Sequence, residues 1–288
     1  MIGTEVPGMP GVRVFPPPPR DFDALAATTT DLVRHGIPRR PDPGTQPEQA
    51  ALWERLARRY RGFEHLAPQL ILDTLATPAT VEPGAAFLLS PSVHCGYELT
   101  SAAPFTTLSA TWTVPNLNFT PPIGPNPGPL PFHTFFGLGF LDVHVEMTVD
   151  AAQNVTSVIT IHTGAQVALP VRPGDAISAT LCLNTTPPGT AAYFLANETT
   201  SQRVNFAIDT GFPPARYINA GISRDAPFPN PLARFGVVYF DEILAFTTEG
   251  TRLLTNGEAT TMVDNQGITL ATPVRLSDFA FKCVSGVR

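Results

Sequence analysis

The chain has 288 residues, 43% of them hydrophobic and only 15% charged, so it can bury a large core in one β domain with an appendage. Its charged share lies well below the ordinary ~25%, which leaves too few charges to coat many helices. A formal net charge of -6 without a basic cluster argues against nucleic acid, and no apolar run reaches the ~18 residues of a membrane span.

In chain order, residues 1–65 read as a proline-rich arm with two short helices. The first is expected in "DFDALAATTTDLVRHG", where Phe22, Leu25, Ala26, Leu32 and Val33 form a stripe and Gly36 serves as a cap. The second lies in "QPEQAALWERLARRYRGF", with Pro47 at its start and Leu52, Leu56 and Tyr60 at helical spacing beside Trp53. The "RRYR" run, Arg58–Arg61, reads as a solvated helix face. The arm lacks enough apolar surface to stand alone and is expected to pack on the convex side or edge of the main domain.

From residue 66 to 288 the pattern is two-residue alternation punctuated by Pro, Gly and Asn, which predicts an all-β antiparallel sandwich. Strands are expected in "TLSATWTV", "DVHVEMTVD", "SVITIHT", "AISATLCLN", "AAYFLANET", "RVNFAID", "FGVVYF" and "DFAFKCV". "RPGDAI" and "NPGPLP" read as turns, and "FTPPIGPNPGPLP" as a rigid loop. The amino end has no basic stretch leading into an apolar one, so the expected location is cytoplasmic, with secretion by another route left open. Cys95, Cys182 and Cys283 are odd in number and widely spaced, which fits neither a disulfide framework nor a metal site.

Several stretches, in order, resemble the glutamic peptidases (eqolisins). "SATWTVPN" resembles their "G-T-W-T-V-P" strand, and "LPVRPGDAISATLCL" their "V-x-P-G-D-x-I" turn and strand. "NETTSQRVNF" resembles their "N-x-T-T-G-Q" hairpin, and "PLARFGVVYFDEI" their "L-A-x-F-G-x-V-x-F" segment. "GIPRRPDPGTQPEQAALWERL" is similar to the arm of bacterial members. The resemblance implies a concanavalin-like, jelly-roll-type β sandwich, with Trp112 as a structural marker. It also implies a Gln and a Glu that activate water on the concave sheet, and these do not carry over. "NAGISRDAP" stands for "A-E-W-I-V-E", so Gly221 replaces Trp and Arg224 or Asp225 falls at the Glu. Phe136 lies near another Trp position, Val145 or Glu146 near the Gln, and His94–Cys95 replace the Trp and Ser of "N-W-S-G".

In their place "LDVHVEMTVD" alternates Asp142, His144, Glu146, Thr148 and Asp150 with an apolar set. One reading is an ordinary solvated face. The other is an acid/base site: His144 between two carboxylates has its pKa raised, and crowding Asp142 with Glu146 raises one carboxyl. The candidate catalytic residues are therefore Glu146, His144, Asp142 and Asp225; the candidate ligand-binding residues are Arg224, His162, Phe136 and His94. A metal held by His144, His162 and Glu146 is a weaker reading because the spacing matches no ligand motif, so neither metal nor cofactor is expected. The alternation only half resembles the three acidic residues of sandwich β-glucanases, with His144 in the central position. Cys95 beside His94 is not a nucleophile pair, since neighbours on a strand face opposite ways.

The expected function is a repurposed fold that binds a small molecule or short peptide in the concave groove, with non-proteolytic acid/base catalysis. Placing "ISRDAP" beside "DVHVEM" would set Arg224 against Glu146 and favour an anionic ligand. Two alternatives stay open: an acid endopeptidase with a substituted carboxylate dyad, and a non-catalytic glycan- or peptide-binding module.

Overall fold

A computed structural model describes residues 3–7, 9–72, 89–120, 128–161, 164–185, 190–209, 213–224 and 232–286. The arm begins with a hairpin, β1 (Thr4–Val6) and β2 (Met9–Val14). Helix α1 (Thr29–Arg34) is shorter than the sequence pattern suggests. It starts where the Thr28 hydroxyl accepts the Asp31 N–H at 3.2 Å, a local cap that leaves Phe22 and Leu25 outside the helix. Helix α2 (Pro47–Arg58) follows, then the short strands β3 (Glu64–His65) and β4 (Leu70–Leu72).

The remaining strands are β5 (His94–Thr113), β6 (Leu130–Leu138), β7 (Leu141–Val149), β8 (Val155–Ile161), β9 (Ala165–Val167) and β10 (Ala176–Thr185). After them come β11 (Thr190–Asn197), β12 (Gln202–Asp209), β13 (Ala215–Ser223), β14 (Val237–Thr247) and β15 (Gly250–Arg252). The chain closes with β16 (Glu258–Thr260), β17 (Met262–Val263), β18 (Thr269–Ser277) and β19 (Ala280–Ser285). Among the described residues all pairings are antiparallel except β3 with β12.

The 20-residue strand β5 joins the two layers. Its first half lies between β13 and β16, in a sheet ordered β4-β9-β8-β7-β6-β13-β5-β16. Beyond Phe105 it passes between β10 and β14, in a second sheet ordered β1-β2-β12-β11-β10-β5-β14-β19-β18-β17. Its first half shows no strand pattern in the sequence because Gly96 and Pro104 interrupt the alternation. Strands β6, β13 and β18 are not among the strands expected from alternation.

The inward sets of both sheets form one core. Trp112 sits at its centre, stacked on Phe136 (centroids 5.6 Å apart) and Phe240 (6.3 Å), and its indole N–H donates to Thr134 Oγ1 at 2.9 Å. That bond crosses the sandwich, from β5 in the second sheet to β6 in the first. Phe136 is therefore a core residue, and its expected place at a ligand is corrected.

The arm covers the outer face of the second sheet. Trp53, Ala57, Tyr60 and Leu32 form a smaller apolar cluster with Ala192 and Phe194 of β11. The "RRYR" run is only partly solvated: Tyr60 is buried, and Arg59 reaches Glu242 through two bonds of 3.0 and 2.9 Å. Among the described residues no helix is long and apolar enough to cross a membrane.

Candidate functional site

Register decides which side chains meet. Strands β6 and β7 join through a two-residue turn, Gly139–Phe140, with Gly139 at φ +61°, a conformation that favours glycine. The turn pairs Leu138 with Leu141, which sends Leu141, Val143, Val145, Met147 and Val149 into the core. Asp142, His144, Glu146 and Thr148 therefore share the outer face, as the alternation predicts.

Across the first sheet this face forms rows of paired residues. One runs Thr160–His144–Phe135–Gly221–Gly96. Its neighbour runs Val158–Glu146–His133–Ser223–His94, and a third runs Asp142–Gly137–Asn219–Glu98. An open, solvated sheet face would leave such residues exposed. Instead Phe135 is 1% exposed, Asn219 3%, Thr160 4% and His94 8%, while Asp142, His144 and Glu146 of β7 are half-buried, so the face is only partly open to solvent. This weighs against the solvated-face reading.

The polar contacts centre on β7. His144 Nε2 lies 3.6 Å from Asp142 Oδ2, ion-pair range rather than a tight hydrogen bond. Asp142 Oδ1 is buried with no hydrogen-bond partner among the described residues. Glu146 Oε1 accepts the Thr160 hydroxyl at 2.6 Å. The His144 ring stands 6.3 Å from His133 and 6.4 Å from Phe135, between centroids. Burial pulls the His144 pKa down, but the charges of Asp142 and Glu146 outweigh it and hold the imidazole above its ordinary value.

His94 is the opposite case. Its Nδ1 accepts the Ser90 N–H at 2.9 Å, and its ring meets Phe135 edge-on at 5.6 Å. Burial, reinforced by the charge of nearby His144, lowers its pKa to about 4. The face thus carries one histidine whose pKa is lowered and one whose pKa is raised, the kind of separation that acid/base work needs. Cys95, beside His94, points into the core as strand geometry requires.

Glu98, on the same face, has no counterpart among the sequence-based candidates. It is buried, accepts the Leu89 N–H at 3.1 Å, and has its pKa raised by burial and by Glu258. The broken alternation of the first half of β5 hid it; its place two residues beyond Gly96 is the only sequence signal.

Arg224 requires a correction. Strand β6 separates β13 from β7, so "ISRDAP" does not lie beside "DVHVEM". The residues of β13 on the outer face are Tyr217, Asn219, Gly221 and Ser223; Arg224 has the opposite parity. Its guanidinium turns to Ser92 O, at 2.9 Å from Nε and 2.6 Å from Nη2. The basis for an anionic ligand on this face is thereby lost. His162 and Asp225 lie outside the described residues. Among the described residues no group of three His, Cys, Asp or Glu is placed to hold a metal.

Gly221, which stands where the family has Trp, is fixed by packing. It pairs with Gly96, and a Cβ on it would come 2.2 Å from Cys95 O. Gly221→Ala should cost about 1–3 kcal/mol through overpacking, read as a lower urea midpoint at unchanged slope.

The described part of β13 offers no carboxylate to this face, and β7 offers no Gln. No curated protein matches the sequence. Among solved structures, scytalido-glutamic peptidase with a peptide-based transition-state analogue is similar at TM-score 0.52 and 16% identity, covering 67% of this chain and 98% of that one. SCP-B, a member of the eqolisin family of peptidases in complex with the tripeptide Ala-Ile-His, is similar at TM-score 0.51 and 17% identity, with the same coverage. At these identities the likeness shows the fold, which is the expected antiparallel β sandwich. The model of the peptidase A4 family matches residues 92–283, about two thirds of the sequence, and the chain belongs to that family.

Proposed function

We propose that the outer face of the first sheet binds a short peptide or a small molecule of similar size, and that His144, Asp142 and Glu146 move a proton on it near neutral pH. The observation that carries this reading is the half-buried outward row of β7, where His144 lies 3.6 Å from Asp142 and between two carboxylates that raise its pKa. His144 in its protonated form is the acid. Glu146, held by Thr160, is the base, and Asp142 orients the imidazole. Phe135 supplies an apolar wall, and Gly96, Gly137 and Gly221 leave a stretch of the face without side chains. The tripeptide bound by SCP-B supports a peptide-sized ligand. Among the described residues β13 brings no carboxylate and β7 no Gln to this face, which speaks against ordinary glutamic proteolysis.

The test is incubation of the purified chain with a mixture of short peptides at pH 7 and, separately, with casein at pH 2–4, read by mass spectrometry. The expected result is binding or turnover at pH 7 and no cleavage of casein in acid. Glu146→Gln keeps an acceptor for Thr160, so its melting temperature should stay unchanged while turnover falls at least about a hundredfold. Casein cleavage in acid would restore the endopeptidase reading. Affinity that changes in Glu146→Gln without turnover of any ligand would make the chain a binding module.

A further inference from the structure

A cavity of about 790 Å³ lies between α2 and the outer face of the second sheet, on the far side of the sandwich from His144. Its size falls within the roughly 300–1,000 Å³ of small-molecule sites. Leu52, Trp53 and Leu56 of α2 form one wall, facing Cys182, Phe194 and Phe246. Such a lining would suit any apolar body. One residue makes it selective.

Arg203 of β12 also lines the cavity, although it is only 5% exposed. Its guanidinium carbon stacks 3.8 Å from the Tyr60 ring centroid and 5.2 Å from that of Phe63. Nε and Nη1 are enclosed and have no hydrogen-bond partner, which leaves Nη2 as the nitrogen with open surface. The nearby Arg59 shows what a paired guanidinium looks like here: Glu242 lies 2.9 Å away and Glu198 3.7 Å away. Glu198, which Arg59 already holds, acts on Arg203 only through its charge, and a buried cation resting on an aromatic ring without an anion in contact recovers only part of its hydration. The other acids at the cavity are engaged: Glu48 accepts from Thr251, and Glu249 lies 3.5 Å from Arg252. The Cys182 thiol does not compete as an anion, because burial raises its pKa to about 12.

We propose that this cavity binds a small apolar carboxylate, its acid group on Arg203 and its apolar body against Trp53 and Phe194. A carboxylate matches the planar fork of a guanidinium with two acceptors. A neutral analogue would leave the charge unpaired, and an amine would add a second cation.

The full chain permits a direct test with octanoate, 1-octanol and octylamine. Of its 2 tryptophans, Trp53 lines the cavity and Trp112 is sealed in the core, so a change in indole emission reports the cavity. Octanoate should shift the emission and raise the melting temperature, and octanol should bind at least about tenfold more weakly. Arg203→Met should abolish that preference while leaving octanol binding unchanged. Without ligand, this variant should be as stable as the parent or more so, because an unpaired buried charge is gone. Equal affinities for octanoate and octanol, or no response to octanoate, would overturn the proposal. So would an Arg203→Met protein several degrees less stable without ligand, since Arg203 would then be a packing residue that clamps Tyr60 and the arm.

Discussion

Trp112→Ala should remove most of the stability of the sandwich. The lost ring alone accounts for about 3–5 kcal/mol. Because its N–H is the donor to a Thr134 hydroxyl that is fully buried on the opposite sheet, a further ~1–3 kcal/mol follows from the orphaned oxygen. Against a typical total of about 5–15 kcal/mol, that is enough to leave much of the protein unfolded at 37 °C. Trp112→Phe keeps an aromatic body between Phe136 and Phe240 and should cost markedly less. Urea unfolding of both variants checks the ranking; equal losses would show that the cross-sheet bond and the extra ring volume contribute nothing.

Deleting residues 1–65 should lower the melting temperature by about 10 °C or more, or cause aggregation. Strand β2 pairs with β12 through Val14, Arg13 and Val12, and β3 pairs with the same strand, so deletion strips an edge of the second sheet. It also uncovers Phe194 and Ala192 and removes Trp53, whose N–H donates to Pro38 O at 2.9 Å. At roughly 1.5–3 kcal/mol per large side chain, the loss reaches several kcal/mol. Thermal unfolding and light scattering of the truncated chain check this. A truncated chain as stable and soluble as the full one would reduce the arm to a tether.

Much of this architecture is legible in the amino-acid sequence because a half-buried strand must alternate, and β7, β8, β10 and β12 do so plainly. The alternation of Leu141–Val149 also tells which of its residues share a face. What sequence does not carry is parity across a turn. Phe135 and Phe136 are equivalent in composition, and only the Gly139–Phe140 turn sends the first outward and the second into the core. The same limit governs Arg224: ungapped matching sets it on a catalytic position, while strand parity and the intervening β6 turn it toward Ser92. Glu98 was hidden because its strand carries Gly96 and Pro104. The cavity at Arg203 arises from the meeting of residues far apart in the chain, Trp53 and Tyr60 on one side and Phe194 and Arg203 on the other, which no local pattern encodes.

The proton held on β7 is the centre of the functional account, and an NMR titration of the histidine ring signals over roughly pH 3–9 reads it directly. His144 should titrate above 6.5, because its neighbouring carboxylates outweigh its burial, and Asp142→Asn should move it downward. His94, buried and neutral, should resist protonation until about pH 4. A His144 that titrates at or below 6.5, or that ignores the loss of Asp142, would contradict the account: the outer face of the first sheet would then hold no acid and base, only buried polar side chains.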